Sequence, residues 1–556
     1  MSLRSSMMRS VRRLCAIALF VLLCAPSARL ATTAASDDPV LRALLAELER
    51  SKAQLKMENV AAPYYIEYRV TDVDEYDAEA VFGALRLAQH ARVRVLRAVV
   101  RVGDYKQDSY FGQGMGIVNL ISLDDDPVAL RRQLWWVTDQ AYKNAVEALT
   151  AKQAMLKQFR VENPVDDLAR ADAVEFLGAL ARVEADVARW QKHLEDASGL
   201  FRKYPEVQSV QAALRFISFN RYFVNTEGSA TREGQASYYL SLVGSTQAAD
   251  GMRLIRSPYW MFGTAKELPT GEQFSADCIK MLETLKRLRE APLVQEEYRG
   301  PVLFAADAAN DIFSSLIGDN VLGNKPEPGR SVRTTGDFAT SLRARVLPEF
   351  LTIVDDPTTK VFEGHSLVGS YEVDSEGVKP VPVTVIKNGE LVSYLLGRQP
   401  IRDFLTSNGH GRAGPGDAPV PSTGNLFVRA SQTLSREELK KKLMEICTKR
   451  GLAYGYFAET MAPGLSPRLL YRVWVKDGRE ELVRGAVFNE LDIRALRNSL
   501  IAAGNDPEVS NRSAQILSTV ISPSILLDEV EVRPADASNE KLPEYPPPPL
   551  AGKKRP

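Results

Sequence analysis

Histidine and cysteine are scarce in this chain: four of each among 556 residues. His90, His193, His365 and His410 are scattered, none within five residues of another, so no local pair has the spacing of a zinc site. The cysteines are too few for a disulfide framework, and a single bridge between Cys278 and Cys447 stays open. No G-x-S-x-G elbow, phosphate-binding loop or dinucleotide fingerprint occurs, which removes the common nucleophile and nucleotide classes. There is no excess of charge of either sign, with 70 basic against 70 acidic residues, and so no electrostatic case for nucleic acid.

What is present begins with a leader. Arg4, Arg9, Arg12 and Arg13 precede an apolar run of twelve, Leu14 to Ala25, and small residues follow to Ser36. This is the pattern of a secretory signal peptide over residues 1–35, too short to span a bilayer. An uncleaved anchor is the competing reading. Removal takes five arginines from the 70 basic residues and leaves 65 against 70 acidic, a mildly acidic exported protein. The expected location is periplasmic or secreted, with no membrane span after cleavage. Apolar residues make up 45% of the chain, enough for two or more cores.

Periodicity divides the remainder. Asp38-Pro39 predicts a helix start, with Leu41, Leu44, Leu45, Leu48 and Leu55 on one face. Strands are expected at 64–70, 81–87 and 92–102. Over residues 127–203, Leu134, Val137, Ala141, Ala145 and Leu149 recur at helical spacing. Phe176, Leu180, Val183 and Val187 do the same, predicting a long helical hairpin turning at Asn163-Pro164. Strands at 222–225 and 236–243 flank a turn at 226–229, and a helix with Cys278 on its apolar face runs to about Glu290. A domain boundary is expected near 295, giving an N-terminal α/β domain over 36–295 and a C-terminal α+β domain over 296–535. A proline-rich tail occupies 536–556. In the second domain a strand at 301–304 leads to a helix from Asp307 to about Ile317. A capping box, Ser435-Arg436-Glu437-Glu438, opens a helix with Cys447 on its core stripe. Strands at 469–475 and 481–487 precede a last helix over 491–502.

The densest pattern lies between Asp355 and Asn425. Val383 to Ile386 and Leu391 to Leu396 read as a hairpin around Asn388-Gly389. Gly409, Gly411, Gly414, Gly416 and Gly424 then punctuate a loop carrying His410 and Arg412. The acidic pairs Asp355-Asp356 and Asp374/Glu376 stand beside turns and are read as serving them, calcium at Asp374 and Glu376 being the remote alternative.

Asp374-Ser375-Glu376-Gly377, Lys387-Asn388-Gly389-Glu390-Leu391, Ser407-Asn408-Gly409-His410-Gly411-Arg412, Val483-Arg484-Gly485-Ala486 and Ala503-Gly504-Asn505-Asp506 occur in an order that resembles the TldD/PmbA family. That family includes zinc metallopeptidases, their zinc-free partner subunits and proteins labelled modulators of DNA gyrase. The resemblance is clear over about residues 298–533 and looser over 64–260. It implies an α+β, two-domain architecture and an H-E-x-x-x-H zinc motif on the first helix of the second domain, completed by a later cysteine. Here the matching positions read Ala306-Asp307-Ala308-Ala309-Asn310-Asp311. Alanine replaces the first histidine and aspartate the second, and Arg468-Leu469-Leu470 stands where the cysteine is expected. The expectation is a chain without catalytic or metal-ligating residues and without a cofactor. It would act as the non-catalytic partner or peptide-holding subunit of a homo- or hetero-oligomer of TldD/PmbA-like subunits. An active peptidase with unrecognised ligands and a structural envelope protein are the alternatives. Asp307, Asp311, Asn408, Gly409, His410, Gly411 and Arg412 are expected to line a peptide cleft, with the 408–412 loop facing the 307–311 helix. For His410 a plain surface-loop histidine is the competing reading.

Overall fold

The computed structural model describes residues 38–158, 165–327, 330, 332–513 and 516–535. The leader, the Asn163-Pro164 link and the proline-rich tail lie outside the described residues. No described helix is long and apolar enough to cross a membrane.

Asp38 caps helix α1 (Pro39–Gln54) by accepting the Leu41 amide at 3.0 Å, and Leu41, Leu44 and Leu48 are buried as their spacing requires. Strands β1 (Tyr65–Val81) and β2 (Ala84–Arg101) then form one long antiparallel hairpin. Its turn, Phe82-Gly83, takes left-handed φ values of 53° and 80°. The strand expected over 81–87 is therefore corrected: the chain reverses inside that stretch, and 84–101 is a single strand. Alternation alone could not reveal the reversal, because Phe82 is not a usual turn residue.

Strands β3 (Ile117–Leu120), β4 (Glu175–Leu177), β5 (Ser209–Asn225) and β6 (Ala230–Gln247) complete the main sheet, in the order β3-β2-β1-β5-β6-β4. The short strands β7 (Arg253–Arg256) and β8 (Tyr259–Phe262) also pair with β6. Helices α2 (Pro127–Leu156), α3 (Val187–Gly199) and α4 (Gly271–Glu290) pack on this sheet.

The long helical hairpin is a second correction. Only α2 is long, and the described residues from 165 to 186 contain no helix. Phe176 lies in β4, parallel to β6, while the Asn220 side chain accepts the Ala181 amide and donates to its carbonyl. Those sheet-edge bonds satisfy the backbone in extended form and outweigh the helical spacing of Phe176, Leu180 and Val183. α2 packs against α1 and β2, and α3 packs against β1, β2, β5 and α4, so both helices lie on the sheet.

The second half of the chain builds two further mixed sheets. β9 (Tyr298–Phe304) lies between a parallel strand at 454–462 and an antiparallel strand at 525–534 in a seven-stranded sheet. β10 (Leu351–Asp355) lies in a six-stranded sheet with strands at 383–387, 390–391, 425–430, 517–522 and 508–513. Helix α5 (Ala306–Phe313) packs against strands of both sheets, its Ala308, Ala309, Ile312 and Phe313 joining a core with Phe304, Ile353, Leu426 and Val520.

The hairpin after Val383 is present, with Asn388 and Gly389 at φ 47° and 77°. Its return strand is only Glu390–Leu391, because the amides of Val392 and Ser393 both turn back to the Val385 carbonyl. The capping box opens α6 (Arg436–Lys449) as expected. The last helix is α7 (Ile493–Ser499), shorter than expected because residues 500–503 pair as a strand with 525–527. Cys278 and Cys447 are both buried and free, so the bridge left open by the sequence is not formed.

The two halves are clasped. Arg398, 1% exposed, donates to Glu227 at 2.7 and 2.8 Å and to the Ala169 carbonyl at 2.6 and 3.0 Å. Arg69 reaches from β1 to the carbonyls of Ser375 and Asp417.

Candidate functional site

Helix α5 begins where β9 ends, at Ala305, an N-cap whose side chain offers no hydrogen bond. One side of the helix is apolar and fixed in the core, so Asp307, Asn310 and Asp311 carry its polarity. Asn310 is fully buried and acts as a tie: its amide donates to the Glu508 carbonyl at 3.0 Å and its oxygen accepts from Ser522 at 2.8 Å.

Asp311 forms an ion pair with Arg512 at 2.7 Å. The Asp307 carboxyl is pushed up to about 6 by burial first, then by the charges of Asp311 and Glu508; Arg512 and Arg256 pull the other way. Arg256, buried at the end of β7, donates to Thr460 at 3.2 Å. Burial and the neighbouring Arg468 bring its guanidinium down to about 10. Arg468 itself donates to the carbonyl and hydroxyl of Ser257. Half-exposed Tyr259 of β8 lies near enough to feel Arg512, Asp311 and Asp307. The centre is thus two carboxylates among three guanidiniums. Sequence reasoning missed Arg256, Arg468 and Arg512, because they come from three separate strands and share no local motif.

The donor set does not fit zinc. Ala306 has no ligating atom, and Asp311 is engaged by the Arg512 guanidinium. Among the described residues, no group of three or more His, Cys, Asp or Glu is placed to hold a metal ion. Cys447 is buried on α6 among Leu439, Leu443 and Phe457, a core position.

The glycine loop, expected to line a peptide cleft, is largely buried. His410 is fully buried, with Nε2 3.1 Å from Asp355 and Nδ1 2.9 Å from the Asn408 side-chain oxygen. Asn408 itself accepts the Leu396 amide and donates to the Tyr394 carbonyl. The Gly409 carbonyl accepts from Tyr371 at 2.8 Å. Arg412 is buried over the Tyr371 ring, 4.4 Å from its centroid, and donates to the carbonyls of Leu517 and Thr423. His410 is therefore not a surface-loop histidine, and Arg412 is already spent on backbone carbonyls. No hydrogen bond or ion pair among the described residues joins the 408–412 loop to Asp307 or Asp311.

Beneath the loop lies the acidic pair. Asp374 accepts the amides of Glu376, Val378 and Gly411 at 2.9, 2.8 and 3.0 Å, so it does serve its turn and also pins the loop. Glu376 accepts the Arg398 amide at 2.6 Å. Burial, and then the charge of Glu376, push the Asp374 carboxyl up to about 8; burial raises Glu376 as well. Asp356 likewise serves a turn, accepting from Thr358 and Thr359.

Comparison with known proteins places the sequence resemblance in the second half of the chain. Residues 297–534 match the family model described as the PmbA/TldA metallopeptidase C-terminal domain. The second half of the chain is thus a domain of the TldD/PmbA type. It is 30% identical over 119 residues to a metalloprotease of Methanothermobacter thermautotrophicus, covering 21% of this chain and 25% of that protein. Against a metalloprotease of Methanocaldococcus jannaschii it is 32% identical over 125 residues, 22% of this chain and 26% of that one. The chain thus spans about a quarter of the length of these curated relatives. The fold extends further. A Thermotoga maritima protein named as a modulator of a DNA gyrase aligns with 88% of this chain and 100% of its own, with TM-score 0.60 at 17% identity. TldE from Thermococcus kodakarensis aligns with 88% of this chain and 99% of its own, with TM-score 0.59 at 12% identity. The α+β, two-domain TldD/PmbA-like architecture expected from sequence is the one observed.

Proposed function

We propose that this TldD/PmbA-like chain is an exported protein that binds no zinc of its own and serves proteolysis as a non-catalytic partner or peptide-holding subunit. The observation that carries the reading is α5. Its Ala306 and Asp311 stand at the positions of the family's two histidines, and Asp311 is ion-paired with Arg512. A zinc site needs three or four protein ligands, and this helix supplies at most one free carboxylate, Asp307. Export rests on the arginine-rich, apolar leader of the sequence. The family resemblance supports pairing with a zinc-bearing relative, since the family contains both kinds of subunit.

The 408–412 loop is internal structure, so peptide meets the Arg256, Tyr259, Arg468 and Asp307 surroundings of α5 instead. The test is co-expression with a zinc-bearing relative from the same organism. Co-purification, with peptide cleavage greater in the pair than in either chain alone, is expected. Cleavage by this chain alone, lost on chelation, would overturn the proposal.

A further inference from the structure

The N-terminal sheet carries a cavity of about 640 Å³ between its strands, the start of α1 and the extended segment at 180–183. Its size falls within the range of small-molecule sites, ~300–1,000 Å³. None of the residues around α5 lines it.

Its charges are arranged unevenly. Asp72 and Asp74 of β1 stand directly opposite Arg94 and Arg92 of β2. Simple cross-strand pairing would neutralise both arginines, but that is not what forms. Arg92 donates to Asp72 through Nε at 3.2 Å and Nη2 at 2.7 Å, and Arg94 donates to the same carboxylate at 2.8 Å. Asp74 turns outward to His90 at 2.6 Å. Two guanidiniums thus share one buried carboxylate: burial would raise the Asp72 carboxyl, and the hydrogen bonds and charges of Arg92 and Arg94 together hold it below the usual carboxylate range. Arg94 is only 2% exposed, and its Nε has no hydrogen-bond partner. Its second carboxylate, Asp125, is half-exposed, and Asp74 is about a third exposed. Asp38, paired with Arg232 at 2.8 Å, and Arg182 also line the cavity, so its wall carries four carboxylates and four guanidiniums, of which Asp74, Asp125 and Arg92 are the accessible members of the β1–β2 end.

We propose that this cavity is a binding site for a zwitterion, an α-amino acid or a short peptide, with its carboxylate on Arg92 and Arg94 and its ammonium group at Asp74 and Asp125. Charge-assisted hydrogen bonds to guanidinium suit a carboxylate. The outer carboxylates disfavour a dianion such as phosphate and complement an amine. Arg94 is already held by Asp72, Asp125 and the Ser122 carbonyl, whereas about half of the Arg92 side chain is exposed and can meet a ligand carboxylate.

The test titrates alanyl-alanine, its C-terminal amide, its N-acetyl form and free alanine into the full chain by calorimetry. Alanyl-alanine is expected to bind, with each blocked form at least about tenfold weaker; comparison with free alanine shows whether an amino acid suffices. Arg94→Gln risks the fold, so the decisive variants are Arg92→Gln and Asp74→Asn, both at part-exposed side chains, with folding checked by thermal melting. Arg92→Gln should remove the discrimination against the amide, and Asp74→Asn the discrimination against the N-acetyl form. Failure of the folded chain to bind any of the four, or binding indifferent to both blocking groups and both variants, would overturn the site.

Discussion

A methyl group at position 411 tests whether the glycine loop is a buried clasp or a free surface loop. A Cβ on Gly411 would stand 2.8 Å from Cδ and 3.0 Å from Cγ of Glu376, and overlap its Oε2. The obstruction is a carboxylate held from the other side by the Arg398 amide at 2.6 Å, so Glu376 cannot retreat without breaking that bond. Overpacking of this kind costs about 1–3 kcal/mol. Leaving the buried Arg398 amide or the carboxylate unsatisfied adds about 1–3 kcal/mol. Gly411→Ala should therefore destabilise the fold by about 2–6 kcal/mol, a large part of the ~5–15 kcal/mol typical of a domain. Gly451 provides the control: it has φ 69° and open space around its Cβ position, so alanine there incurs only the backbone penalty of about 1–2 kcal/mol. Urea denaturation of the two variants and the parent measures the difference. Equal midpoints for Gly411→Ala and the parent would refute the clasp, and the view of a free loop would return.

The buried Asp374–Glu376 pair gives a pH dependence. Because the folded state raises the Asp374 carboxyl to about 8, the proton is held more tightly folded than unfolded. That stability is present at acid pH and is lost as pH rises through about 8. Denaturation midpoints of the parent, compared with Asp374→Asn, should fall between about pH 5 and pH 8.5; a parent that gains stability relative to the variant over that range would contradict it. Asn310→Ala removes the partner of both Ser522 and the Glu508 carbonyl and should cost about 1–3 kcal/mol in the same assay. An unchanged midpoint would show that α5 is not tied to strands 508–513 and 517–522 through this side chain.

Much of the architecture could be read from the chain because local chemistry and tertiary packing agreed. The Asp38-Pro39 start, the Ser435–Glu438 capping box and the Asn388-Gly389 turn all sit where their mechanisms require. Legibility failed where a non-local partner prevailed. Residues 176–187 have helical spacing, but β6 and Asn220 hold much of that stretch extended. Gly409 and Gly411 invite a loop reading, and loops are ordinarily at the surface. In this chain the loop is internal, because Asp355, Asp374, Tyr371 and the backbone of Tyr394, Leu396, Thr423 and Leu517 supply partners for its polar groups. The α5 site was half legible. The absence of an H-E-x-x-x-H run stands in the sequence, whereas the arginines near Asp307 and Asp311 come from strands about 50 to 200 residues away and have no common signature.

The most direct test of the central claim is a zinc titration of the purified full chain, by calorimetry with elemental analysis of the dialysed protein. With Ala306 and Asp311 in place of the family's histidines, and Asp311 held by Arg512, no stoichiometric zinc should be retained and no saturable site should appear. About one zinc per chain, released by chelator and tied to peptide cleavage, would contradict the account.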